Sequence, residues 1–237
     1  MQEKKEEFLI EQCIANIEKI LDIKIDSRYK NLFFLEPEKK ELMEFIGDSA
    51  FNLAVTLFLT KSFHFKSEGV FTVIRSVIVR TSGIIVLGKK IGLEKFYNIL
   101  KLYKKINISK IRWIEETFEA LIGCLVLSYN IEKVLEKIFI ILKKCFLDIV
   151  ADIETVMDAI TTLQIFCQCF NKTLPKYEKQ KIKQNYFKVI VSFNGKNSHG
   201  FGSNIKTAKQ IAAQNLLKKL NVNAKTIFLK NYIENNL

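Results

Sequence analysis

Proline and glycine are scarce in this 237-residue chain, two and nine residues, which argues against low complexity and leaves room for long uninterrupted helices. Histidine occurs twice, as His64 and His199, and both read as structural or surface residues. The five cysteines (Cys13, Cys124, Cys145, Cys167 and Cys169) form no Cys-x-x-Cys pair. Most lie in apolar helical context and read as reduced core residues of an intracellular protein. Arginine is nearly missing: Arg28, Arg75, Arg80 and Arg112 are the only four among 37 basic residues. With heavy use of Ile, Asn and Phe, this points to an AT-rich genome, that of a reduced bacterium or a large DNA virus. No apolar run is read as reaching the ~18 residues that span a bilayer, since Lys61, Arg75 and Arg80 interrupt the candidates. The opening Met-Gln-Glu-Lys-Lys-Glu-Glu is not a secretory signal. The expectation is a soluble, cytoplasmic protein with no membrane partner.

What is present is a core and a charge gradient. Aliphatic, aromatic and cysteine residues make up 49% of the chain, enough for one or two packed domains. The formal net charge is +12, which suggests a polyanionic partner. From Thr155 onward thirteen lysines face three acids, whereas residues 1–154 are close to balanced, with 24 basic and 22 acidic side chains. The surplus is therefore concentrated in the last third.

The acids are organised differently. Glu41, Glu44 and Asp48 stand at i, i+3 and i+7 within Glu41-Leu42-Met43-Glu44-Phe45-Ile46-Gly47-Asp48-Ser49, so they share one stripe of a helix that is otherwise apolar. Like charges so placed repel each other. A second apolar helix, within Glu115-Glu116-Thr117-Phe118-Glu119-Ala120-Leu121-Ile122-Gly123, opens on Glu116 and Glu119. Each stripe alone could be a solvated face. Two acid-bearing helices, both too apolar to stay outside a core, suggest that the acids meet in one site, where a divalent ion with oxygen ligands would relieve their repulsion.

Periodicity predicts helices over 5–22, 38–62, 70–81, 82–90, 92–103, 111–128 and 130–150, with a break at Ser67-Glu68-Gly69 and no strand in the first 150 residues. The pattern changes after Asp152. A helix over 158–170 precedes an extended run from Pro175, a β-rich run Tyr186–Phe193, an Asn194-Gly195 hairpin signal and a return over Ser198–Gly202. Asn204 then caps a last helix reaching about Leu220. Lys206 and Lys209 lie in its first turns, where the helix dipole disfavours cations. Either they are tolerated surface lysines, or they join the helix N-terminus in holding backbone phosphates.

Glu44-Phe45-Ile46-Gly47-Asp48-Ser49 resembles the signature of the ribonuclease III family, and Glu119-Ala120-Leu121-Ile122-Gly123 resembles its second box. Between them Glu68-Gly69-Val70-Phe71-Thr72-Val73-Ile74-Arg75 is similar to the family's acidic-glycine segment ending in arginine. The helix, three strands and helix that follow resemble the double-stranded RNA-binding domain. The resemblance implies an all-α ribonuclease III endonuclease domain over 1–150, then a small α+β domain of α-β-β-β-α order over 155–222.

It also implies a Mg²⁺-dependent endoribonuclease of double-stranded RNA, with Mn²⁺ able to substitute. Glu44, Asp48, Glu116 and Glu119 would carry the metal, Asp48 and Glu119 being catalytic, with Glu41 and Glu68 auxiliary acids. No serine, cysteine or histidine nucleophile is implied. Gln164, Lys206 and Lys209 would bind RNA. The family works as a homodimer, here expected through an apolar surface around Phe45, Phe51 and Phe58, leaves 5′-phosphate and 3′-hydroxyl ends, and serves ribosomal RNA processing. The alternative is a relative without catalysis, acting as a ribosomal component or an RNA-sequestering protein. Three departures stand out. Glu116 replaces the usual aspartate, Ile205 replaces the first lysine of the basic cluster, and the loop taken as Gln180 to Asn185 lacks the usual Gly-Pro-x-His. Lys179, Lys181 and Lys183 around that loop compensate only in charge.

Overall fold

The computed structural model describes residues 2–29, 37–63, 68–103, 106–150, 157–171, 173–223 and 226–227. Helices α1 (Gln2–Leu21), α2 (Pro37–Ser62), α3 (Glu68–Val79), α4 (Thr81–Ile91), α5 (Leu93–Tyr103), α6 (Lys110–Ser128) and α7 (Ile131–Val150) come first. Then follow α8 (Ala159–Asn171), β1 (Lys176–Lys183), β2 (Tyr186–Phe193), β3 (Lys196–Gly202) and α9 (Ile205–Leu220). The chain forms two compact units, Met1–Leu59 with Arg75–Ile149, and Thr60–Ile74 with Val150–Leu237.

In the first unit α6 packs on α4 and α5, and α1 packs on the same two. Its core includes Ile17, Phe51, Ala54, Val55, Phe58 and Phe146, all fully buried. Phe51 meets Phe118 edge-on at 5.3 Å, and Trp113 of α6 packs against Phe96 and Tyr97 of α5. Local chemistry sets the ends. The Ser109 side chain accepts the Arg112 backbone N–H to start α6, and Gly92 at φ 98° closes α4.

One approach between helices is closer than side chains allow. A Cβ placed on Gly47 of α2 would stand 1.8 Å from the Glu119 carbonyl oxygen of α6, and one on Gly123 of α6 would stand 2.0 Å from the Met43 carbonyl oxygen of α2. Only glycine at both places lets the two backbones touch. The glycines of the two sequence boxes are therefore the contact between the helices that bear the acids.

The second unit is a three-stranded antiparallel sheet in the order β1-β2-β3, with α8 and α9 packed together and α9 lying on β2 and β3. Asn194 and Gly195, at φ 49° and 73°, make the β2–β3 turn that the Asn-Gly pair predicts. Val189, Val191 and Phe193 face the helices, against Leu163, Cys167, Ala208, Ala212 and Leu216. Asn204 caps α9 by accepting the Thr207 N–H at 2.8 Å.

Several expectations need correction. Phe51 and Phe58 do not line an outer surface but fill the first unit's own core, while Phe45 is exposed. Periodicity alone cannot say which side of an apolar helix its own domain covers. The break at 67–69 is misplaced, since Glu68 and Gly69 already belong to α3; residue 67 lies outside the described residues. Gln180 to Lys183 are strand rather than loop, because β1 continues to a short turn at Asn185 with φ 55°. From Lys40 to Ser62 α2 is long and apolar enough, by length and composition, to cross a bilayer, contrary to the reading of its runs. Lys61 stands near its end and does not interrupt it. His64 lies outside the described residues. Cys13, Cys124, Cys145 and Cys167 are free and buried, as expected; the Cys169 side chain lies outside the description.

Candidate active site

The crossing at Gly47 and Gly123 places the acids of α2 beside those of α6. Glu119 feels the charges of Asp48, Glu115, Glu44 and Glu116, and Glu44 feels those of Glu116 and Glu41. Burial, then these neighbouring carboxylates, pushes the Glu119 carboxyl up to about 7. Burial also raises Glu44, against the pull of Lys40. Five of the six acids implied by the resemblance, Glu41, Glu44, Asp48, Glu116 and Glu119, thus form one electrostatic cluster. Glu68 is exposed at the first position of α3.

Each acid but Glu119 has a partner or an edge position. Asn52 Nδ2 donates to Asp48 Oδ1 at 2.8 Å and to the Asp48 carbonyl at 3.0 Å, which fixes that carboxylate one turn up α2. Lys40 Nζ donates to Glu116 Oε2 at 3.2 Å and lies 3.7 Å from Glu44 Oε1. Arg112 Nε donates to Glu116 Oε1 at 2.5 Å. Glu41 is exposed at the rim.

Sequence reasoning missed Glu115. It accepts a hydrogen bond from Thr81 Oγ1 at 2.6 Å and adds its charge at Glu119. It also missed Lys40, Asn52 and Arg112. Two of these were legible, since Lys40 precedes Glu44 and Arg112 precedes Glu116 by four residues, the spacing of a helical ion pair. Hard carboxylate oxygens on two touching helices are the donor type that suits Mg²⁺. The strain on Glu119 marks where positive charge is wanted. Among the described residues no three acidic, His or Cys side chains already converge on one point. The donors fit such an ion in kind and in charge.

In the second unit Gln164 is exposed on α8, and Lys206 is exposed at the second position of α9. Lys209 is half-buried, its Nζ 4.3 Å from the centre of the Tyr177 ring. The aromatic ring holds that ammonium beside the helix N-terminus, offsetting the unfavourable dipole.

A helical unit with crossed acidic helices, joined to an α-β-β-β-α unit, defines a nuclease coupled to a duplex-RNA-binding module. The family model of the ribonuclease III domain matches residues 41–130, and that of the double-stranded RNA binding motif matches 159–220. "Ribonuclease 3" of Rickettsia felis is 33% identical over 187 residues, covering 76% of this chain and 81% of that protein. "Ribonuclease 3" of Aliarcobacter butzleri is 28% identical over 223 residues, covering 87% and 97%. That of Mycoplasma mobile is 26% identical over 200 residues, covering 81% and 79%. Among solved structures, one described as Dicer from Pichia stipitis aligns at TM-score 0.41 and 22% identity, over 82% of this chain and 94% of that one. The chain belongs to the ribonuclease III family. It is a ribonuclease of that family with a double-stranded RNA-binding domain.

The raised Glu119 carboxyl sets a pH dependence. Its folded value, about 7, lies above the ordinary 4.5, so the folded protein holds that proton more tightly than the unfolded chain does. The resulting stability is full below about 4.5 and is lost as pH rises through 7. In EDTA the melting temperature should therefore fall between pH 5 and pH 8, and Glu119→Gln should remove most of that fall. An equal slope in the variant would place the titrating group elsewhere.

Proposed function

We propose that this chain hydrolyses double-stranded RNA in a Mg²⁺-dependent reaction, leaving 5′-phosphate and 3′-hydroxyl ends, and acts as a cytoplasmic homodimer in RNA processing, ribosomal precursors included. The nuclease domain is read as residues 1–150 and the RNA-binding domain as 155–222. The observation that carries the proposal is the gathering of Glu44, Asp48, Glu115, Glu116 and Glu119 at one helix crossing, where burial and then its neighbours push the Glu119 carboxyl up to about 7.

Glu44, Asp48, Glu116 and Glu119 would hold the metal. Bound there, Mg²⁺ supplies an acidified water and charge neutralisation at the scissile phosphate, with Mn²⁺ able to substitute. The chain's own residues prepare that site. Asn52 orients Asp48, Thr81 draws Glu115 aside, and Lys40 with Arg112 steadies Glu116. Glu41 and Glu68 are read as auxiliary acids. Glu116 carries one more methylene than the family's aspartate, so to serve a metal held by the other three acids its carboxylate would have to fold back or act through a water.

Gln164, Lys206 and Lys209 are read as the duplex contacts. A helix N-terminus with two lysines suits backbone phosphates, and such modules recognise A-form RNA by shape. Homodimerisation is supported by α2, where Phe45 is 73% exposed and Leu42 stands beside it, also exposed, on the face turned from the core.

Three outcomes test this reading. Glu119→Gln should abolish cleavage of a long duplex in Mg²⁺ while leaving duplex binding intact, and Glu116→Asp should keep or raise activity. Binding without cleavage by wild type, in Mg²⁺ and in Mn²⁺, would instead favour an RNA-sequestering role. Replacing Lys206 and Lys209 by Ala should weaken duplex binding evenly across sequences and flatten its log-log salt slope by roughly one to two units. An unchanged slope would place the RNA surface wrongly. Sedimentation at micromolar concentration should give about twice 27.5 kDa, and Phe45→Asp should shift it towards monomer. A wild-type monomer that cuts both strands would refute the dimer.

A further inference from the structure

The acid cluster is not evenly neutralised. Lys40 Nζ lies 3.2 Å from Glu116 Oε2 and 3.7 Å from Glu44 Oε1, and Arg112 Nε lies 2.5 Å from Glu116 Oε1. Among the described residues no lysine or arginine lies within 4.0 Å of the Asp48 or Glu119 carboxylates. The site has a half that carries its own cations, Glu44 with Glu116, and a half that carries none, Asp48 with Glu119.

The position of Lys40 is set by backbone. It precedes Glu44 by one helical turn on α2, and the Gly47–Gly123 contact brings Glu116 of α6 within its reach. Its side chain is only 14% exposed, so the ammonium is largely withdrawn from water and its pairing is tighter than that of a surface lysine. Arg112, 73% exposed, approaches the same carboxylate from outside. One carboxylate thus meets both cations, Oε2 facing Lys40 and Oε1 facing Arg112.

We propose that Lys40 is a built-in counter-cation of the active site. It holds Glu44 and Glu116 together as a positioning residue and supplies their positive charge from the protein itself. A divalent ion then meets the uncompensated Asp48–Glu119 side first, and Glu44 and Glu116 join in holding it only as the ammonium is displaced. This rests on the reading of the cluster as a metal site.

The test uses the whole chain and Mn²⁺ alone, counted by calorimetry and by the loss of the free-ion electron spin resonance signal. Wild type should bind one Mn²⁺ strongly per chain. Lys40→Met should bind Mn²⁺ about tenfold more tightly, or gain a second measurable ion, because one neighbouring positive charge is removed. In EDTA the same variant should melt at lower temperature, because the carboxylates lose their cation. Lys40→Arg should track wild type in both. The opposite signs are the signature, since a lysine that matters only for packing would lower stability without raising affinity for the ion. Should Lys40→Met fail to fold without metal, Arg112→Gln removes a cation from an exposed side chain and should show both shifts on a smaller scale. Wild type that binds Mn²⁺, with Glu119→Gln losing it and both cation variants unchanged, would overturn the role of Lys40 and leave the metal site standing. If neither wild type nor any cation variant binds Mn²⁺, both readings fall.

Discussion

Two helix backbones touch at Gly47 and Gly123, and the rest of the first unit's chemistry depends on that contact. A methyl group at either position would lie at or inside 2.0 Å of a carbonyl oxygen on the other helix. Interiors packed at crystal density cannot absorb such an overlap by small adjustments. The contact sets the separation of α2 and α6, and so the separation of Glu44 and Asp48 from Glu116 and Glu119. Around it the fold supplies stiffness: Phe51 against Phe118 beside the crossing, and the Phe96–Tyr97–Trp113 cluster behind α6. The glycines of the two sequence boxes and the acids beside them are one device, not two features.

Bringing five carboxylates together costs free energy, and the chain answers it locally. Glu116 and Glu44 are met by Lys40, Glu116 by Arg112, Glu115 by Thr81 and Asp48 by Asn52. Glu119 is left with burial and four like charges, and its carboxyl rises to about 7. A group kept uncomfortable in the middle of a partly satisfied network is the natural place for an ion to bind, because the ion relieves what the protein does not. The second unit uses the opposite arrangement: few acids, thirteen lysines from Thr155 onward, and a helix N-terminus with Lys206 beside it.

Much of this was legible in the sequence, for identifiable reasons. Helical periodicity placed α2 and α6 to within a residue, because long apolar stripes leave little ambiguity. Asn194-Gly195 fixed the hairpin, since that pair favours two successive positive φ values. The carboxylate spacing on each helix showed which acids share a stripe. What the spacing hid was the far side of the contact. Phe51 and Phe58 carry the same apolar signal as Phe45, and only the packing of the other helices tells core from surface. The place of Glu115 in the cluster was hidden because its hydrogen bond comes from Thr81, 34 residues away. Lys40 could be paired with Glu44 by counting, but its reach to Glu116 spans 76 residues and appears only in three dimensions. The β1–β2 connection was misread because β1 is a lysine-rich, exposed strand with no alternating apolar face to announce it.

The central claim is that the glycine contact makes one site out of two acidic stripes. It is tested most directly by Mn²⁺ binding and duplex cleavage in Gly47→Ala, with duplex binding as the internal control. A Cβ there meets the Glu119 carbonyl at 1.8 Å, so α2 and α6 must part, at a cost of about 3 kcal/mol in stability. The account predicts a protein that still binds duplex RNA through its C-terminal domain but has lost strong Mn²⁺ binding and cleavage together. A folded Gly47→Ala protein that binds Mn²⁺ and cuts duplex as wild type does would contradict it.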